Sequence, residues 1–158
     1  MTAPGRTLLL GATVLVASCA WGPVLTPYAL GNAERMPASD VATIWGVRQG
    51  ARLHFTHVNG ESLPSRGGGG YPVSLQLVPG KHTVRVFFAM PDHRSTEQSI
   101  VAVVEAGHTY VVEYLVIPGT PAVLLKLADQ GKDQQCAYER TDPVRGTAVL
   151  RCGPRSGG

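Results

Sequence analysis

Apolar and polar residues alternate over much of this chain, most clearly from Val73 to Phe88, VSLQLVPGKHTVRVFF. Val73, Leu75 and Leu77 alternate with Ser74 and Gln76. After Pro79-Gly80, His82, Val84, Val86 and Phe88 alternate with Thr83, Arg85 and Phe87. A period of two sends successive side chains to opposite faces, so the stretch predicts a β-hairpin with one buried face. Val41 to Gly46 and Ala51 to Val58 predict two earlier strands. Leu53 and Phe55 share one face of the second, and Asn59-Gly60 follows as a hairpin turn. Ile100 to Val104 and Thr109 to Ile117 predict a further hairpin through Ala106-Gly107, with Tyr110, Val112, Tyr114 and Val116 on one face. The two hairpins form a weak internal repeat offset by 27 residues. Ala122 to Ala128 reads as another strand. Seven to nine short strands, closely spaced and turn-punctuated, predict an all-β fold, a small antiparallel β-sandwich.

Composition narrows the classes of function. With 19 Gly and 12 Pro the chain favours turns over long helices. Aromatic residues make up 6%, too few for a broad base-stacking surface. The net charge is +3; residues 1–18 hold one of the 14 basic residues and no acid, so the rest carries 13 against 11, or +2. This balance argues against nucleic acid as a partner. Arg52, Arg66, Lys81, Arg85 and Arg94 offer a mildly basic face, but charges scattered for solubility are the simpler account, given the even charge balance.

The N-terminus reads as an address. Arg6 precedes an apolar run from Leu8 to Ala17, shorter than the ~20 residues a membrane-spanning helix needs and suited to a signal-peptide core. The run ends Val16-Ala17-Ser18-Cys19, which resembles the lipobox of bacterial lipoproteins. That resemblance implies acylation of Cys19, cleavage before it, and a membrane anchor through the acylated residue. Ala20 after it implies the outer membrane, facing the periplasm, in a Gram-negative host. The expected layout is a signal peptide at 1–18, a lipidated tether at 19–40 interrupted by Pro23, Pro27 and Pro37, a β-sandwich at 41–152 and a disordered tail at 153–158. With Cys19 set aside, Cys136 and Cys152 remain as a pair flanking a Thr141-Asp142-Pro143 turn. A hairpin there brings them opposite each other, and export favours a disulfide.

Val58-Asn59-Gly60, Pro79-Gly80-Lys81-His82 and Ala106-Gly107-His108-Thr109-Tyr110 give the segment Ala51 to Ile117 a resemblance to PEGA-type and transthyretin-like β-sandwich modules of bacterial envelope lipoproteins. The resemblance implies a non-catalytic module engaged in envelope interactions. It supplies no functional residues.

Candidate chemistry is sparse. The five histidines are His54, His57, His82, His93 and His108. His54 and His57, three apart on a regular strand, should face opposite ways. His82 and His108 each follow a turn and are the candidate metal pair, with Glu105 at hand; bonding to turn backbone is the simpler expectation, since a metal site needs three or four converging ligands. Asp92, His93 and Ser95 crowd one loop and do not make a triad, and Glu61, Asp92, Glu97, Glu105 and Glu113 are explained by solvation. The run Gly67 to Gly70 lacks the Lys and helix of a phosphate cradle. The sequence therefore predicts no enzyme and no cofactor. It predicts an anchored envelope adaptor with a protein partner, the alternative being a ligand-binding module for a cell-wall glycan or a metal.

Overall fold

Eleven strands form in the described chain, and their buried positions fall on the faces that alternation marks. The structure is a computed structural model describing residues 26–46, 52–65, 70–89, 97–120, 122–142 and 147–155. The strands are β1 (Tyr28–Ala29), β2 (Ala42–Gly46), β3 (Arg52–Val58), β4 (Glu61–Ser62), β5 (Ser74–Leu77), β6 (Gly80–Ala89), β7 (Gln98–Val104), β8 (His108–Val116), β9 (Val123–Lys132), β10 (Gln134–Asp142) and β11 (Thr147–Pro154). One sheet has the order β1-β5-β2-β8-β9, a second β4-β3-β6-β7, and β10-β11 pair by themselves. The fold is all-β, as expected. Two pairings, β1 with β5 and β2 with β8, are parallel, and the rest are antiparallel.

The core lies between the two larger sheets. Leu53, Phe55, Val84, Val86, Phe88, Ala102 and Val104 from one sheet meet Ala42, Ile44, Leu75, Leu77, Tyr110 and Val112 from the other. Phe88 packs on Tyr114 across the gap, ring centroids 4.8 Å apart. Tyr110, Val112, Tyr114 and Val116 share the inward face.

The expected hairpin over Val73 to Phe88 is not one. β5 pairs with β2 and β1, whereas β6 pairs with β3 and β7, so the chain crosses from one sheet to the other at Pro79. The second expected hairpin is also a crossing, since β7 and β8 lie in different sheets. The physical reason is common to both. Alternation records which face of a strand is apolar, but strands facing each other across a core alternate just as paired strands do. Pro79, without an N–H, also cannot extend a ladder through the corner. The proposed repeat thus equates β5 with β7, strands of opposite sheets. By contrast, Asn59-Gly60 makes the expected tight hairpin between β3 and β4. Both residues have positive φ, 52° and 86°, the conformation a two-residue turn of this hand demands.

The domain starts earlier than expected. Tyr28 and Ala29 pair with Leu75 and Gln76, a short 3-10 turn spans Gly31–Arg35, and Ala33 is buried. The segment 28–40 is therefore docked on the sandwich and not strung out as a tether. Tyr28 and Leu30 pack against the core. The C-terminal end is corrected likewise. Gly153 and Pro154 belong to β11, and the Arg155 N–H donates to the Asp133 carbonyl at 2.8 Å. Residues 1–25, with Cys19 and the expected signal peptide, lie outside the described residues, as do 156–158.

The Cys136–Cys152 hairpin forms a third layer. Its cysteines are directly opposite and bonded through sulfur. It lies on the outer face of the five-stranded sheet, where Cys136, Tyr138 and Leu150 cover Trp45 and Val111. Tyr138 meets Trp45 edge-on at 5.6 Å, and its hydroxyl donates to the Gly46 carbonyl. Gly46 is closely hemmed: a Cβ there would stand 3.0 Å from the Leu53 Cβ and 3.1 Å from the Leu53 carbonyl. Only glycine lets β2, β3 and the segment at Val73 converge without a shift.

Candidate functional site

His82 and His108 do not share a site. His82 is buried, and both of its nitrogens have partners: Nε2 lies 2.9 Å from the Val78 carbonyl and Nδ1 lies 3.0 Å from the Asn59 amide nitrogen. The consistent assignment is a neutral ring donating from Nε2 and accepting at Nδ1. Asn59 in turn accepts the Thr83 N–H at 3.0 Å. This histidine pins the Asn59-Gly60 turn to the Pro79-Gly80 corner and has no nitrogen left for a metal.

His108 faces two carboxylates instead. Its Nδ1 is 3.0 Å from Asp129, and its Nε2 is 3.6 Å from Glu105. The ring stacks on Tyr110, whose hydroxyl oxygen accepts the Glu105 N–H at 3.0 Å. A β-bulge in β9, which puts one extra residue between the partners of Thr109 and Tyr110, aims Asp129 at the histidine. Among the described residues no group of three or more His, Cys, Asp and Glu is disposed to hold a metal ion.

Tyr110 yields a pH prediction. Burial first, then the charges of Asp129 and Glu105, push its phenol above the ordinary value of 10.0, while the Glu105 N–H pulls the other way. The folded state therefore resists ionisation that the unfolded chain accepts near pH 10. Stability from this group is complete below that pH and declines as pH rises past it. Urea midpoints measured from pH 8 to 11 should fall at the alkaline end, and Tyr110→Phe should flatten that fall; an unchanged alkaline limb in Tyr110→Phe would show that burial of Tyr110 plays no part.

The remaining predicted residues separate. Arg66, His93, Asp92, Ser95 and Arg94 lie outside the described residues. Lys81 and Arg85 are exposed on β6, and Arg85 is paired with Glu97 at 3.5 Å, which suits charges scattered for solubility better than a basic face. His54 and His57 depart from expectation. Phe55 pairs with Val86 and His57 with Arg85, which leaves Thr56 as an extra bulge residue. The bulge shifts the alternation by one, so His54 and His57 both stand on the outer face of the four-stranded sheet, opposite Phe87 and Arg85. No sequence signal marks this bulge, because Thr56 is an ordinary strand residue.

Two features of the outer faces could engage a partner. One is aliphatic. Val101 and Val103 on β7 are 60% and 66% exposed, and Leu115 and Leu124, cross-strand neighbours on β8 and β9, are 63% and 56% exposed. β7 and β9 are the edge strands that meet along one side of the sandwich, where the Gln98 amide donates to the Val123 carbonyl at 2.8 Å. The disulfide hairpin covers Trp45 and Val111 on the same sheet face but leaves Leu115 and Leu124 in solvent. Alternation sets Leu115 opposite the face of Tyr110, Val112, Tyr114 and Val116, but whether that second face meets the disulfide hairpin or solvent is decided only by packing. The other feature is a hollow of ≈ 280 Å³ over β3 and β6, lined by His54, Thr56, Gly70, Tyr71, Phe87 and Glu97.

None of the described helices is long and apolar enough to cross a membrane. Comparison with known proteins adds no identity: no family model matches the chain, and neither a curated protein nor a solved structure does.

Proposed function

We propose that this chain is a lipid-anchored bacterial envelope protein whose β-sandwich acts as a non-catalytic interaction or structural adaptor. Anchoring runs through acylated Cys19, and the setting is the periplasmic face of the outer membrane in a Gram-negative host. The observation that carries the adaptor reading is the solvent exposure of Leu115, Leu124, Val101 and Val103. Aliphatic side chains standing in cross-strand or same-face pairs are costly to leave in water, and they give a protein partner an apolar contact. The disulfide suits an exported protein. The likeness of Ala51 to Ile117 to PEGA-type modules points to the same class.

The reading makes the tether short. Tyr28 lies nine positions after Cys19 in sequence, and at ~3.3–3.6 Å per position the span reaches about 30 Å when extended. An anchored domain would work close to the bilayer, on partners in or near the membrane.

The test uses the tagged full chain in a Gram-negative host. Cys19→Ala should move the protein from the membrane fraction to the soluble periplasm. In-cell crosslinking of the wild type should capture a recurrent envelope protein, and Leu115→Arg with Leu124→Arg should reduce that capture at least fivefold while the melting temperature holds. Membrane retention of Cys19→Ala would overturn the anchor, and undiminished capture by the double variant would overturn the role of this surface.

A further inference from the structure

We propose that the hollow on the outer face of the four-stranded sheet is a binding site for a sugar ring of a glycan. The proposal names a partner class for the interaction module above, and rests on that reading only for its cellular setting. The argument starts from the bulge at Thr56. Without it, His57 would occupy the inward position that Val58 takes, and His54 would be the one histidine outside. With it, two histidines flank Phe87 and Arg85 on a solvent-facing surface that the core does not use. Bulges recur beside binding sites because they re-aim a side chain at small cost.

The lining matches one ligand class. Phe87 and Tyr71 supply aromatic surface, and Tyr71 is 37% exposed. At the rim Glu97 is held by Arg85 at 3.5 Å and lies 4.0 Å from His57. The Nδ1 of His57 lies 3.1 Å from the Thr56 hydroxyl, and the Nδ1 of His54 lies 3.3 Å from the Tyr71 carbonyl. Apolar floor and polar rim are the two halves of a pyranose, whose C–H face packs on an aromatic ring while its edge hydroxyls hydrogen-bond outward. The carboxylate of Glu97 accepts from hydroxyls, and Arg85, beside the lining, holds that carboxylate in place. Because Arg85 and Glu97 already hold each other, little side-chain freedom is lost on binding.

Size and charge decide against the other flat ligands. The hollow holds ≈ 280 Å³, just below the roughly 300–1,000 Å³ typical of drug-sized pockets, and fits one or two rings. A nucleotide would bring phosphates against Glu97. Gly70, at φ +75°, keeps the wall thin: a Cβ there would touch the His54 ring at 3.7 Å.

The experiment is an amide-resolved NMR titration of the full chain in detergent. The probes are the β-1,4-linked trisaccharide of N-acetylglucosamine and that of glucose. At least one should give saturable shifts at the amides of His54, Tyr71 and Phe87, with a Kd of millimolar or tighter. Phe87→Ala should weaken binding at least tenfold, and Tyr71→Ala, at the exposed wall, should do so where Phe87→Ala loses the native spectrum. Thr83→Ala, exposed on the same sheet face outside the lining, should bind as the wild type. Silence with both probes, shifts centred on Trp45 instead, or wild-type affinity in both aromatic variants would overturn the site. None of these outcomes depends on Cys19 or on protein capture, so failure here leaves the adaptor reading to its own test.

Discussion

Phe88→Ala should cost about 3–5 kcal/mol, the usual price of emptying an aromatic site in a close-packed core. Phe88 is fully buried on β6 and touches Tyr114 on β8, so it joins the two sheets as well as filling space between them. Its loss removes apolar burial, leaves a cavity that β-ladders on both sides cannot easily collapse into, and deletes an aromatic pair. For a domain of this length the melting temperature should drop on the order of 10–20 °C. Phe87→Ala provides the contrast, because the neighbouring ring points the other way, onto the outer face. A calorimetric or circular-dichroism melt of both variants checks the prediction. Equal losses would mean that β6 does not present its faces as described.

Opening the Cys136–Cys152 bridge should produce the second large effect, and a more local one. The bridge spans a sequence separation of 16, for which the chain-entropy account gives roughly 3 kcal/mol. The hairpin it closes adds only a thin third layer. Tyr138, Leu150 and Cys136 cover Trp45 and Val111, and the hydroxyl of Tyr138 reaches Gly46. An isolated two-stranded hairpin is marginal in water, so without the bridge its docking should loosen before the sandwich melts. Trp45, now 6% exposed, should then meet solvent. In a Trp21→Phe background, where Trp45 is the one tryptophan left, Cys136→Ser with Cys152→Ser should shift fluorescence to the red at temperatures where the strand signal persists. Emission that stays blue until global unfolding would show that docking contacts alone hold the hairpin.

Much of the secondary structure is legible in the residues. Asn59-Gly60 names its turn because two consecutive positive φ angles suit few other pairs. The strands β2, β3, β7 and β8 follow from alternation within a residue or two, and the cysteine pair follows from its spacing around a turn. The candidate site was far less legible. The outward position of His57 depends on a one-residue bulge, set by how β3 fits β6. The ion pair of Glu97 with Arg85 depends on strands meeting after a loop. His82 looked like a possible ligand because a sequence shows a titratable ring but not the carbonyl and amide already bonded to it.

What the sequence determined by itself is therefore local: the period-two faces, the turns that glycine, asparagine and proline force, the apolar run from Leu8 to Ala17 ahead of Cys19, and the absence of helical periodicity. Which sheet each strand joins was decided only in three dimensions. The crossings at Pro79 and at Ala106-Gly107, the docking of Tyr28 and Ala29 on β5, and the layer that the disulfide hairpin adds over Trp45 all depend on which apolar face meets which. Alternation gives every strand one face to bury and no address for it. Packing two such faces to native density selects the partner, and that selection is a property of the whole chain.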